Sequence, residues 1–435
     1  MTRRPVETAP ELRPCDLALT PIEVARGLSH LPGLVFLDSS AADSEPYRAD
    51  ARFSLVAAAP SEFVEGNLFS AADRDHLRHS LAKAAGRPES ELDRGFPAGG
   101  AIGWVEYEGR FRFGLYHDVL IFDHRQERWH ESGNLRHRWR EPRLASDWNK
   151  VPRSFASRLD QEAFCEIVQR AQAYIAAGDI YQVNLSRRLT TDWPFPGDSR
   201  ETIAALELYD RLRDASPAPY AAYLDLADQR QVLSSSPELF LEMSGNAIRT
   251  RPIKGTRPRF RDSSQDEKSA YDLLTSPKEI AELIMITDLE RNDLGQICEY
   301  GSVQATDLLK LERYAQVFHL VSTVEGQLRS EVDHLEALAA CFPGGSITGA
   351  PKRRSREIIA ELEPEPRGLY TGAIGILGFN GESRFNIAIR TAVIEAGQLH
   401  FHTGAGIVAD SIPAMEFNET RHKAAGILRA CGVGE

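Results

Sequence analysis

The chain predicts a fold that mixes α and β on three observations: short apolar runs bounded by turn residues, two hairpin signals, and four stretches of helical apolar spacing. Residues 33–39, 52–57, 101–107 and 117–123 are the strand-like runs of the first part. Between Arg140 and Arg158 the pattern breaks up around Pro142 and Pro152, which marks a border between residues 1–145 and a second region over residues 158–432. That border need not separate independently folding units, because large α/β enzymes can keep this length in one intertwined core. Beyond it, residues 161–177 and 201–213 carry helical spacing, while residues 220–250 alternate around Ser244-Gly245-Asn246, a hairpin signal. Ser276 and Pro277 open a helix through Asn292, with serine as N-cap and proline in the first turn, where an N–H is unneeded. Strands over residues 371–379 and 385–395 flank Asn380-Gly381, and a helix follows over residues 413–431.

Hydrophobic residues make up 42% of the 435 positions and charged residues 26%, the balance of a globular protein with a full core. The net charge of −12 argues against nucleic acid or an anionic membrane as the main partner. An anionic ligand must therefore find a local cluster of cations or a metal. Met1-Thr2-Arg3-Arg4-Pro5 is basic, but Glu7, Glu11 and Asp16 follow it instead of an apolar run, and no apolar segment approaches membrane-spanning length. A cytoplasmic protein is the expectation. Cys15, Cys165, Cys298, Cys341 and Cys431 are odd in number and lack Cys-x-x-Cys spacing, so they read as reduced thiols.

Arg251-Pro252-Ile253-Lys254-Gly255-Thr256 places one primary amine at a turn amid Arg249, Arg251, Arg257, Arg259 and Arg261. Neighbouring cations and partial burial favour a neutral amine, which makes Lys254 a candidate nucleophile, although one more solvated charge is the commoner reading of a lysine taken by itself. Glu279 and Glu282 lie three apart on one predicted helix, and Glu416 and Glu419 repeat the spacing on another, so each pair projects from one helical face. Two such pairs brought together would bind a hard cation through oxygen; on spacing alone, solvated glutamates near helix starts are the commoner reading. Two glycine-rich strings do not support nucleotides. Gly344-Gly345-Ser346-Ile347-Thr348-Gly349 continues Ala350-Pro351-Lys352 where a phosphate loop needs Gly-Lys-Ser/Thr, and Thr403-Gly404-Ala405-Gly406 lacks the third glycine of a dinucleotide fingerprint.

The turn at Lys254 resembles one in the chorismate-utilising enzymes, which include anthranilate, aminodeoxychorismate, isochorismate and salicylate synthases. The resemblance extends, in family order, through Gly178-Asp179-Ile180-Tyr181-Gln182-Val183-Asn184-Leu185-Ser186-Arg187, Ser236-Pro237-Glu238, Asp288-Leu289-Glu290-Arg291-Asn292-Asp293 and His319-Leu320-Val321-Ser322. It continues through Phe342-Pro343-Gly344-Gly345-Ser346-Ile347-Thr348-Gly349-Ala350-Pro351-Lys352, Ile389-Arg390-Thr391 and Gly404-Ala405-Gly406-Ile407-Val408-Ala409-Asp410-Ser411. It implies an α+β fold like that of anthranilate synthase component I: two large, mainly antiparallel sheets packed together, helices outside, and the active site in a cleft. By the same resemblance Glu282 and Glu419 match direct magnesium ligands, with Glu279 and Glu416 beside them. Chorismate carries two carboxylates; one would sit on Mg2+, and the other would meet Arg390, Tyr370 and the amides of Gly404, Ala405 and Gly406. Lys352 and Thr348 fall within a matching motif and are further candidates at the substrate site.

Two positions separate the family's reactions. Isochorismate and salicylate synthases carry a water-activating lysine where this chain has Gln182, and anthranilate synthases carry alanine where it has Lys254. The pair resembles the aminodeoxychorismate synthases. The implied chemistry is attack by Lys254 on C2 of chorismate, loss of the C4 hydroxyl, and displacement of the lysine as ammonia enters at C4. Glu238 matches a proton-transfer residue, and His319 faces the ring in the family and could handle a proton. None of the five cysteines sits on a tight turn between small residues, so ammonia is expected from a separate glutamine amidotransferase subunit. Anthranilate synthesis, and a non-catalytic subunit that regulates a glutaminase, are the alternatives. Leu37-Asp38-Ser39 lies where the family's amino-acid site begins, a candidate regulatory tryptophan pocket.

Overall fold

The strand-like runs pair into two antiparallel sheets in the computed structural model, which describes residues 12–40, 51–85, 95–142, 151, 154–195, 199–314 and 317–433. The first sheet has eleven strands, and its middle runs in space Val35–Asp38, Tyr220–Asp225, Arg230–Ser236, Thr391–Glu395, Gln398–Ile407 and Gln182–Asp192. Ten strands form the second, ordered from Ile253–Pro258 through Val317–Gln327, Ala247–Arg251, Leu239–Ser244, Glu382–Ile387, Ala373–Gly378 and Gly100–Val105 towards Phe63–Asn67. Residues before and after the predicted border contribute strands to both sheets, and much of the border itself lies outside the described residues.

Inner faces meet through Val35, Leu55, Ala222, Val232 and Val393 on one side and Ile102, Trp104, Ile374 and Ile376 on the other, all buried. This is what period-two alternation provides: one apolar face per strand to stack against a second sheet. The outer face of the first sheet is covered by the helices Pro21–Leu28, Ser199–Ala215 and Pro413–Ala430, with Leu28, Tyr209, Leu212 and Ile427 packed in one core with Phe36, Tyr223 and Phe401. On the second sheet, Phe113, Leu241 and Phe385 pack with Leu77, Leu294 and Leu338 of three further helices. Among the described residues, no helix is long and apolar enough to cross a membrane.

Two of the points at which the chain passes between the sheets are neighbours. Arg230–Ser236 belongs to the first sheet and Leu239–Ser244 to the second, with Pro237 and Glu238 between them. The expected strand over residues 385–395 is likewise two strands, Glu382–Ile387 in the second sheet and Thr391–Glu395 in the first. Arg390 adopts φ 49°, a left-handed conformation that breaks strand geometry and that a non-glycine residue adopts only when its surroundings impose it. The two crossings are stitched together: Ile387 N–H donates to the Glu238 carbonyl at 3.1 Å, Ser235 N–H to the Arg390 carbonyl at 3.0 Å, and the Ser236 hydroxyl to the Ile387 carbonyl at 2.6 Å. Glu238 and Arg390 are thereby fixed side by side where the sheets part.

Candidate active site

A cleft of about 850 Å³ opens at these crossings and collects most of the residues singled out in the sequence. Glu238, Lys254, Glu279, Glu282, His319, Tyr370, Arg390, Gly404, Gly406, Glu416 and Glu419 all line it. The Pro277–Gly295 helix begins as the sequence predicts, with Ser276 accepting from Glu279 N–H, and its buried face carries Glu282. The second helix, Pro413–Ala430, opens on a proline without a side-chain cap, and its buried face carries Glu416.

Lys254 meets carboxylates in the cleft, and the arginines beside it in sequence have partners of their own. Its Nζ lies 3.6 Å from Glu282 Oε2, with the side chain 15% exposed. Arg249 pairs with Glu242, Arg251 with Glu312, Arg257 with Glu279 and Arg259 with Asp266. The expected cationic surround is thus distributed among ion pairs, because successive strand residues point to opposite faces. A side chain at Gly406 would come within 2.5 Å of Gln182 Nε2 and 3.4 Å of Lys254 Nζ, so the glutamine amide and the amine converge over a bare stretch of strand.

Glu238 is buried at the cleft wall and accepts a 2.7 Å hydrogen bond from the Ser346 hydroxyl. Burial raises its pKa above the usual glutamate value, and Ser346 and Lys254 oppose that only in part, so it holds a proton more readily than an exposed carboxyl. His319 is pushed down to about 3 by burial and by the nearby Arg390. It is a neutral imidazole, with Nδ1 2.9 Å from the Thr256 hydroxyl. As such it can exchange hydrogen bonds with a ligand but does not add a charge.

The two acidic pairs converge without forming a closed cage. Lys278 bridges the helices, 3.3 Å from Glu416 Oε1 and 4.0 Å from Glu282 Oε1. Glu416 also accepts from Ser411 at 2.8 Å, and Glu419 pairs with Lys423 at 2.7 Å. Glu282 Oε1 and Glu416 Oε2 are buried with no hydrogen-bond partner, a costly state for carboxylate oxygen that a cation would relieve. Among the described residues, no three acidic, histidine or cysteine side chains form a ready metal cluster. This donor set fits a cation that takes one or two protein carboxylates and completes its shell from water and an anionic ligand.

Four sequence candidates, Gln182, Lys352, Ala405 and Thr348, are not among the lining residues, although the Gln182 amide lies close to Gly406, which is. Lys352 faces a separate groove of about 1030 Å³, where its ammonium binds Asp293 and the Cys341 carbonyl, because Pro351 starts a new helix that carries it away. Ala405 alternates to the far face of its strand and packs with Val183, Leu185 and Ile358, and its backbone is committed to the pairing with Leu185. The Thr348 hydroxyl donates to the Gly344 carbonyl at 3.0 Å, shaping the turn that presents Ser346. Leu37-Asp38-Ser39 borders another small cavity, where Asp38 already accepts from Arg213 and from the Tyr209 hydroxyl at 3.1 Å.

Sequence reasoning missed Arg367. Fully buried, it pairs with Glu363 at 2.7 Å and donates to the carbonyls of Asn184 at 2.7 Å and Ile347 at 3.0 Å, tying the cleft wall to the Ser346 turn. No motif pointed to it, since its role depends on partners distant in sequence. Arg367→Ala leaves the buried Glu363 carboxylate without its ion-pair partner and held by the Ser186 N–H and hydroxyl, and urea unfolding should show a loss of about 3 kcal/mol.

Chorismate binding enzyme is the description of the family model that matches residues 38–429. The chain belongs to this family. It is 36% identical to aminodeoxychorismate synthase component 1 of Bacillus subtilis (strain 168), over 88% of this chain and 90% of that relative. Anthranilate synthase component 1 of Streptomyces coelicolor is 47% identical, over 63% of this chain and 52% of its own length. Among solved structures, anthranilate synthase component I from Streptococcus pneumoniae TIGR4 superposes with a TM-score of 0.73 at 29% identity, covering 87% of this chain and 92% of that one. The Escherichia coli menaquinone-specific isochorismate synthase MenF shares the fold, with a TM-score of 0.75 at 19% identity, over 98% of this chain and 96% of its own. The two-sheet α+β architecture expected from the sequence is therefore that of anthranilate synthase component I.

Proposed function

We propose that the chain is an aminodeoxychorismate synthase component I, converting chorismate and ammonia to 4-amino-4-deoxychorismate, the precursor of para-aminobenzoate for folate synthesis. The observation that carries this reading is the convergence of Lys254 Nζ and the Gln182 amide over Gly406, a nucleophilic amine beside a side chain that cannot activate water. Similarity to the Bacillus subtilis enzyme over most of both chains supports it.

Glu282 and Glu419, with Glu279 and Glu416 beside them, would hold Mg2+, which neutralises the ring carboxylate of chorismate and orients the ring. Arg390 and Tyr370 take the second carboxylate. Lys254 Nζ forms a bond to C2 as both ring double bonds shift towards C4 and the C4 hydroxyl departs, protonated by Glu238 and released as water. Ammonia then bonds to C4, both double bonds shift back, and Lys254 leaves C2. The ammonia-derived nitrogen returns a proton to Glu238, so the balance is chorismate plus ammonia to aminodeoxychorismate plus water.

Product identification from chorismate, magnesium and ammonium tests the reading. Anthranilate as the main product would favour the reading suggested by the 47% identical relative. No turnover at all would leave the non-catalytic role. Ammonia is proposed to come from a separate glutamine amidotransferase, because Cys15, Cys298, Cys341 and Cys431 are buried and Cys165 lies within the Gln161–Ala176 helix. The isolated chain is expected to turn over with ammonium salts, faster at alkaline pH where more free ammonia exists, and to be nearly inactive with glutamine. Sustained glutamine-dependent turnover by the chain alone would rule out this division of labour.

A further inference from the structure

His402 has no part in the chemistry above, yet it lines the cleft beside groups that do. It shares the strand Gln398–Ile407 with Gly404 and Gly406, two and four residues further along, and so lies on their face. Its ring stacks on Tyr370 at 5.3 Å between centroids and 16° between planes. The side chain is only 6% exposed, and its Nε2 is buried with no hydrogen-bond partner. Burial, reinforced by His400, Arg188 and Arg367, holds its pKa well below the usual histidine range, so the ring is neutral.

Asn184 shows the same feature from the adjacent strand. It is 7% exposed, lines the cleft, and its Oδ1 position has no partner. Gly404 explains how these groups meet. A Cβ there would lie 2.8 Å from Asn184 Oδ1 and 2.8 Å from the Tyr370 hydroxyl, so only glycine leaves room for a ligand among them. A buried polar atom with no partner costs about 1–3 kcal/mol. Two of them on one wall of a binding cleft indicate a ligand that supplies the missing partners.

We propose that His402 and Asn184 are further substrate-binding residues, joining Tyr370 on the carboxylate of chorismate that faces away from the acidic helices. The neutral imidazole donates its Nε2–H to a carboxylate oxygen and the ring stack fixes its orientation; a half rotation of the Asn184 amide puts an N–H in place of the unpartnered Oδ1, and that N–H donates to the other oxygen. The inference rests on chorismate as substrate and is independent of which product forms.

H402L and H402Q test it together. H402L removes the donor and keeps much of the volume, whereas H402Q keeps an N–H able to reach an anion. Expected is a KM for chorismate raised about tenfold in H402L and about threefold or less in H402Q, with kcat changing much less, the signature of lost uniform binding. Chorismate binding measured by calorimetry should weaken in the same order. A merely structural histidine predicts equal damage in both variants and a lowered Tm. Wild-type KM in H402L, or indistinguishable KM values in the two variants, overturns the proposal. Should H402L fail to fold, N184A supplies the second measurement: a severalfold higher KM is expected, and wild-type KM in both N184A and H402Q overturns it. A wild-type chain that binds no chorismate sinks the functional reading as well, so the two failures are distinguishable.

Discussion

Lys254→Ala should lower the rate of 4-amination by roughly three orders of magnitude or more, the scale on which removal of a covalent nucleophile acts. Chorismate affinity should change by less than about threefold, since Arg390 and Tyr370 are untouched and no carboxylate is removed. The environment sharpens this expectation. Lys254 Nζ is 3.6 Å from Glu282 Oε2, and its truncation leaves Lys278, 4.0 Å from the other oxygen, to face that carboxylate. The buried charge therefore keeps a partner, and the variant should fold. Anthranilate should become detectable, because the position then carries the alanine of that branch. Lys254→Arg separates charge from nucleophilicity: it retains a cation near Glu282 and should be equally inactive. Product analysis by chromatography decides the matter, and normal aminodeoxychorismate turnover in Lys254→Ala would eliminate a covalent role for the lysine.

How much of this site could be read from the sequence depends on whether a residue's role is local. The helix starting at Ser276 and Pro277 was legible because caps and periodicity act within one or two turns. Glu282 and Glu416 lie on the buried faces of their helices for the same reason. The double crossing between sheets was not legible. Residues 385–395 alternate as one strand would, and only pairing with strands more than 100 residues away divides them at Arg390. Lys352 was misplaced because a string match carries no direction; the helix begun at Pro351 aims its ammonium at Asp293. His402 and Asn184 gave no signal as single residues. Their importance lies in burial without a partner, a property that exists only after strands from distant parts of the chain have paired.

Glu282→Gln and Glu419→Gln are expected to raise the magnesium concentration needed for half-maximal turnover by at least about tenfold and to suppress the rate at fixed magnesium by about 100-fold or more. The substitution keeps size and one carbonyl oxygen while removing a negative charge from a shell that the protein fills only sparsely. The two positions differ in a way that predicts different secondary effects. Glu282 is 10% exposed at the side chain, with Oε1 lacking a hydrogen-bond partner, and its charge is shared by Lys254 and Lys278. Removing it takes away the carboxylate that both lysines approach, with Glu416 as the remaining carboxylate bonded to Lys278. Lost stability should therefore accompany lost magnesium affinity in Glu282→Gln. Glu419 is 43% exposed and paired at 2.7 Å with Lys423, which can turn to water when the pair is broken. Glu419→Gln should unfold close to the wild-type Tm, and excess magnesium should restore part of its activity. Direct magnesium binding, measured by calorimetry without turnover, separates a ligand from a residue that only shapes the cleft. A wild-type magnesium isotherm in either variant would remove that glutamate from the metal shell.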